Sequence, residues 1–294
     1  MGKPYRFAAI YLGILIAFSI WVLLDAFVIR RRMASVENTA LVVPASEEIL
    51  VTEDRWYGKG IHVTLSESRY ADTTIYLADV ELADIRFMQT ALAENTFGRN
   101  IRETVADMAL EHHAILAING DYYGSRRSGY VIRNGVLYRN SVSSETQEDL
   151  CIWPDGNMSV ILEGETSADE LMQAGVLQVF SFGPALILDG EIAVTAEEEV
   201  GRAMVSNPRT AIAMFSPLHY LLLVSDGRTQ ENEGLSLHQL AEFLKEQGVQ
   251  LAYNLDGGGS STMVFMDQVI NYPTTNGRRS ERAVSDIVYI VSGE

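Results

Sequence analysis

Between two short runs of strand character, Val249-Gln250-Leu251-Ala252-Tyr253 and Met263-Val264-Phe265, the chain reads Asn254-Leu255-Asp256-Gly257-Gly258-Gly259-Ser260-Ser261-Thr262. Three consecutive glycines between strands demand a turn in which backbone comes close to something, because glycine lacks a Cβ and takes positive φ without strain. Successive N–H groups in such a turn form a concave anion site. Ser260, Ser261 and Thr262 add hydroxyl groups, and Asp256 adds a carboxylate at the strand end. One acid beside a phosphate-sized cradle points to hydrolysis or recognition of a phosphate-bearing ligand. The same residues also suit a plain hairpin loop, with Asp256 bonding the turn backbone. A P-loop is excluded, because no Lys follows the last glycine. A nucleophile elbow is excluded too, because Ser261 and Thr262 stand where Gly-x-Ser-x-Gly requires its last glycine.

The chain has 294 residues, enough for one large domain or two small ones, and a formal net charge of -17. That balance argues against a nucleic-acid partner, since phosphate backbones are bound through Lys and Arg. The single cysteine, Cys151, leaves no disulfide within this chain and sits in a strand pattern that suits burial.

Phe7 to Leu24 carries no charged residue and is almost wholly apolar. At 1.5 Å per residue such a helix spans about 27 Å, near the hydrocarbon thickness of a bilayer. No small-x-small cleavage site follows; the apolar run ends in Arg30-Arg31-Arg32. An uncleaved anchor over residues 1–32 is therefore expected rather than a removed signal peptide. Five of the basic residues lie in this segment, so the remainder is more acidic than the whole chain and is repelled by anionic lipid. Residues 33–58 show mixed polarity without a period and read as a stalk, followed by a domain over 59–294.

From Gly60 onward strands dominate. Ile61-His62-Val63-Thr64-Leu65 alternates, and 73–80 is rich in β-branched and aromatic residues. Asn134-Gly135 predicts a type I′ hairpin, and Asp155-Gly156 a similar turn. Helical periodicity marks 100–113 and 236–247; a capping box at Ser167 and Glu170 marks a short helix over 167–174. The fold class expected is α+β: a twisted, mainly antiparallel sheet core with a few packed helices, behind an N-terminal transmembrane helix. Glu197, Glu198 and Glu199 read as a solvated loop, and the five histidines lack metal-ligand spacing.

Several polar groups stand at the ends of apolar runs, where loops carry function on a rigid frame. They are Asn119-Gly120-Asp121-Tyr122-Tyr123, Phe182-Gly183-Pro184-Ala185-Leu186, Pro208-Arg209-Thr210-Ala211, Asp226-Gly227-Arg228, the triple-glycine stretch and Glu281-Arg282-Ala283-Val284-Ser285. In this order, over roughly residues 60–292, the chain resembles the phosphodiester glycosidase family. The Asp-Gly-Gly-Gly-Ser-Ser-Thr element is the specific one; the others count in series. One departure is Arg282-Ala283, where Arg-Pro is common.

The resemblance implies hydrolysis of a sugar-1-phosphodiester of N-acetylglucosamine type in a cell-surface or exopolysaccharide polymer, by a membrane-anchored, extracytoplasmic domain. The basic flank at Arg30–Arg32 argues for the reverse orientation. Candidate catalytic residues are Asp256, Asp121, Asn119 and Asp226. Candidate substrate-binding residues are Arg209, Arg228, Gly257, Gly258, Gly259, Ser260, Ser261 and Thr262. Arg209 suits phosphate through its forked guanidinium. Phosphate leaves well as an anion, so donors such as Arg209 and the glycine N–H groups supply stabilisation. A carboxylate, Asp256 or Asp121, then faces the anomeric carbon. No cofactor is expected, and no ligand spacing indicates a divalent cation. Two other classes fit the same residues: a non-catalytic glycan-binding module, and a metal-dependent phosphoesterase with a cluster of oxygen ligands.

Overall fold

The computed structural model describes residues 3–35, 49–195 and 205–291. The loop expected at 197–199 lies outside them. Among the described residues every strand pairing is antiparallel, so the architecture is α+β and mainly antiparallel, as the sequence implied.

The largest sheet has nine strands. Its centre runs Ala185–Leu188, Leu251–Asn254, Thr210–Ser216, His219–Ser225, Thr73–Leu82 and Ile61–Tyr70 in spatial order. Both faces are buried, and the period of two sorts the residues. Ile212, Met214, Leu222 and Val224 enter the main core beneath the sheet. Ala211, Ala213, Leu221 and Leu223 face the other way, against Leu240, Phe243 and Leu244 of the helix Leu237–Gln247. A capping box at Ser236 and Gln239 starts that helix, and Gly248 at φ 82° ends it.

Two five-stranded sheets close the main core from below. One contains Met263–Phe265, Ala114–Asn119, Asp286–Val291 and Met88–Leu92, with the helix Val105–Glu111 on its outer face. The other contains Val131–Arg133, Gln178–Phe180 and Glu148–Ile152, covered by the helix Ala168–Gln173. Asn134 and Gly135 both take positive φ, 51° and 75°, as a type I′ hairpin requires.

Two expectations need correction. Helical periodicity from Asn100 onward is not helix until Val105: Asn100 sits at φ 59°, and Thr104 caps the first turn by accepting from the Asp107 N–H. Asparagine tolerates the left-handed region, which breaks the helix where the apolar spacing alone continues it. The stretch 33–58 is not a free stalk at its described ends. Arg31–Ser35 pairs with Thr96–Arg99, and Leu50–Val51 and Arg55–Gly58 form the edge of the large sheet.

The N-terminal helix, α1, runs Lys3–Phe27. Its stretch Ile10–Phe27 has a mean hydropathy of 2.2, and 6% of it is buried in the protein. By length and composition it is able to cross a membrane. Asp25, near its C-terminal end, is buried against Arg31, Arg99 and Arg127.

Candidate active site

Antiparallel pairing brings the candidate segments to one end of the large sheet. Thr210 pairs with Val224, so the residues before Thr210 and those after Ser225 emerge together. Ala211 pairs with Asn254 and Ala185 with Tyr253, which sends the triple-glycine turn and Phe182-Gly183-Pro184 to the same end. A cleft of about 360 Å³ opens there. Arg126, Arg209, Arg228 and Arg282 line it, and among the described residues Asp256 is its sole carboxylate.

Asp256 is 8% exposed. Its Oδ2 accepts from Arg282 Nη2 at 2.7 Å and from the Ser260 hydroxyl at 2.6 Å. Arg282 Nε also donates to Ser260 Oγ at 2.8 Å, closing a three-membered network. Burial raises the Asp256 pKa; the Arg282 charge and the Ser260 hydrogen bond pull it back. Arg209 is held by donating from Nε to Leu235 O at 2.7 Å and from Nη2 to Val205 O at 2.9 Å. Burial, then the charge of Arg228, bring its pKa down to about 10, so it remains protonated at neutral pH. Arg228 donates from Nε and Nη2 to Asn207 Oδ1 at 3.1 and 2.8 Å. Arg126 donates to Ser181 O at 2.7 Å and lies over the Phe182 ring at 4.8 Å. Asn254, at the strand end beside the cleft, donates to Gly183 O, while its buried Oδ1 has no hydrogen-bond partner.

Part of the N–H set of the glycine turn is spent within the protein. Gly258 N–H donates to Pro208 O, Ser260 N–H to Gly257 O and Ser261 N–H to Gly258 O. The glycines are there for closeness. A Cβ at Gly257 would stand 2.8 Å from Pro208 O, and one at Gly258 2.9 Å from Arg228 Nη2. One at Gly259 would stand 2.7 Å from Thr275 Oγ1. Gly258 also sits at φ 65°. The bare backbone lets Asp256 and Arg228 share one wall.

Gly257 and Gly258 line the cleft with Asp256, Arg209 and Arg228; Gly259, Ser260, Ser261 and Thr262 lie behind it, and the three hydroxyl residues are wholly buried. Asn119 is also behind the wall. Its Nδ2 donates to Asp256 O at 2.6 Å and its Oδ1 accepts from Thr210 Oγ1 at 2.8 Å, so it braces two segments against each other. Asp121 turns into the core, 2.9 Å from Arg133 Nη2, where it accepts from the N–H groups of Ser181 and Tyr123. Asp226 accepts from Tyr272 N–H at 2.8 Å and from the Tyr76 hydroxyl at 3.3 Å, anchoring the segment that follows the glycine turn. None of these three lines the cleft. Arg282 and Arg126 were not among the expected site residues. Arg282 was legible only as one of the motifs in series, and Arg126 carried no signal beyond its position after Asp121.

The model for a family described as phosphodiester glycosidase matches residues 112–291. The chain is 31% identical over 210 residues to the mouse N-acetylglucosamine-1-phosphodiester alpha-N-acetylglucosaminidase, covering 64% of this chain and 40% of that protein. It is 31% identical over 198 residues to the uncharacterised SPbeta prophage-derived protein YomE of Bacillus subtilis strain 168, covering 66% of this chain and 30% of that protein. The chain thus spans well under half the length of these curated relatives. Among solved structures, the zebrafish N-acetylglucosamine-1-phosphodiester alpha-N-acetylglucosaminidase catalytic domain, described as auto-inhibited by its pro-peptide, matches with a TM-score of 0.64. Identity is 25%, over 90% of this chain and 89% of that one.

Proposed function

The chain belongs to the phosphodiester glycosidase family, and from that premise we propose that its cleft hydrolyses a sugar-1-phosphodiester of N-acetylglucosamine type. The observation that carries this reading is that, among the described residues, one carboxylate shares the cleft with four guanidinium groups. An ordinary glycosidase uses two carboxyl groups, one of them to protonate the leaving oxygen. A phosphate leaving group departs as an anion and needs no such acid. Arg209 and Arg228, whose charges repel each other, gain most from an anion placed between them. Their forked donors suit phosphate oxygens. Asp256, held in orientation by Arg282 and Ser260, then works on the anomeric carbon, where positive charge develops.

The same reading makes α1 a membrane anchor, the domain extracytoplasmic, and the substrate part of a cell-surface or exopolysaccharide polymer. It includes no cofactor. Four cationic side chains and one acid are a poor ligand set for a divalent cation, which takes several oxygen donors. The test is product analysis with an N-acetylglucosamine-1-phosphodiester in ¹⁸O-labelled water. Free sugar carrying the label, with an unlabelled phosphomonoester, supports a glycosidase. Label in the phosphate, with release of sugar phosphate, defeats it in favour of a phosphoesterase. Retention of intact substrate with measurable affinity leaves a binding module.

A further inference from the structure

A second cavity, about 750 Å³, lies between the C-terminal end of α1 and the domain. Among the described residues five arginines line it, Arg31, Arg99, Arg126, Arg127 and Arg139, against one acid, Asp25. In a chain of formal net charge -17, this concentration of positive charge is local and specific. Asp25 ion-pairs with Arg31 and with Arg127 at 3.3 Å, and Arg99 Nη1 stands 4.0 Å away. Its single charge is divided among three guanidiniums. Arg126 and Arg139 are fixed by backbone carbonyls, which position them without neutralising them. Burial lowers the Arg139 pKa, the Asp121 charge opposes that shift, and the Arg133 and Arg126 charges add to it. The buried Arg99 Nε has no hydrogen-bond partner.

Apart from Tyr138 and Ser141, the remaining walls carry no polar side chain. Trp21, Val22 and Ala26 come from the last turns of α1, and Met33 and Phe97 from the strands beside it. A cavity with cationic and apolar walls, set against a helix able to cross a bilayer, matches an amphiphile with a phosphate at its polar end. We propose that this cavity holds the phosphate headgroup of an anionic membrane lipid. Arg126 lines both this cavity and the candidate active-site cleft, so a bound headgroup lies one side chain away from the cleft. The site stands whether or not the cleft is hydrolytic.

Arg30 and Arg32 provide an internal control. Both are paired with Glu94, and neither lines the cavity. Arg32 and Arg127 have nearly equal side-chain exposure, 70% and 71%, so neutralising either removes one exposed charge close to α1. Trp21 is the only one of the three tryptophans in α1 and supplies the readout. The full chain is reconstituted in phosphatidylcholine nanodiscs. These contain a minor fraction of either brominated phosphatidylglycerol or brominated phosphatidylcholine. The expected result is stronger quenching of Trp21 by the phosphatidylglycerol. Arg127→Gln reduces that excess about tenfold, the effect of losing one charged hydrogen bond to the phosphate. Arg127→Lys and Arg32→Gln leave it in place. Equal quenching by the two lipids overturns the proposal. So does an equal loss in Arg127→Gln and Arg32→Gln, which marks diffuse surface attraction. Soluble glycerol phosphate is the last arm: abolition of the excess by it marks a free-phosphate site and overturns the lipid assignment, whereas an unchanged excess supports it.

Discussion

Arg282 reaches Asp256 across 26 positions of sequence, and its Nη2 lies 2.7 Å from the Asp256 Oδ2. The two arrive from different sheets: Asp256 follows a strand of the large sheet, and Arg282 precedes the strand Asp286–Val291 of a smaller one. Their pairing, with Ser260 between them, ties the two sheets together at the mouth of the cleft. A group placed by two rigid frames is held in one orientation, which is what chemistry at a single carbon requires.

Asp256→Asn keeps the shape and the hydrogen bond from Ser260 but removes the charge. Turnover of a sugar-1-phosphodiester should fall by about a hundredfold or more. The thermal midpoint should change little, because Arg282 is partly solvated, with 36% of its side chain exposed. Turnover within a few-fold of wild type would remove Asp256 from the reaction.

Arg209→Lys retains a charge but loses the planar fork. Its effect should fall on substrate binding, raising KM by roughly tenfold while kcat changes less, as expected for one charged hydrogen bond. Arg209 also anchors Leu235 and Val205, so the KM comparison should be made on protein with a wild-type unfolding profile. An unchanged KM with a lowered kcat would place Arg209 at the transition state instead.

Gly258→Ala puts a methyl group 2.9 Å from Arg228 Nη2, on a backbone at φ 65°. The left-handed conformation costs about 1–2 kcal/mol for a residue with a Cβ. Arg228 must also move off the wall. Urea unfolding should register the first effect, and weaker inhibition by a phosphate-containing product the second. If stability falls and inhibition does not, Arg228 takes no part in phosphate recognition.

Asp149 gives a pH test that is independent of the cleft. It is fully buried, and that burial, followed by the Glu163 charge, pushes its pKa up to about 9. The folded state therefore keeps a proton that the unfolded chain releases near the ordinary value of 3.8. A group raised in this way contributes its stability in full below pH 3.8 and loses it as pH climbs through about 9. Each pH unit in the window weakens the fold by up to about 1.4 kcal/mol. Asp149→Asn imitates the protonated acid. Denaturant midpoints of the variant and the wild type should lie close together near pH 4 and separate towards pH 9, with the variant the more stable. Parallel curves over that range would show that the Asp149 proton is not retained.

The sequence carried where the segments end better than which way their side chains face. Alternation and hairpin turns made the antiparallel order legible, and with it the arrival of Arg209, Arg228 and the glycine turn at sheet ends. Asp121 also stands at a strand end, yet it faces Arg133, a residue the sequence marked only as hairpin strand. That buried pairing is set by sheet-to-sheet packing, which no local pattern records. The glycines were legible as a place of close approach, but not what they approach: Pro208, Arg228 and Thr275 come from elsewhere in the chain. Arg126 was missed for the same reason, since its place over Phe182 depends on the separate route of Gln178–Phe180 to the cleft.

Only Val28, Ile29 and Arg30 separate α1 from the strand Arg31–Ser35, which is at once zipped to Thr96–Arg99. Three extended residues reach about 10 Å. With α1 in a bilayer, the domain is not a tethered float but a fixture with almost no slack. On the proposed hydrolytic reading its working radius is its own girth, and a phosphodiester substrate must come down to within that height of the lipid surface.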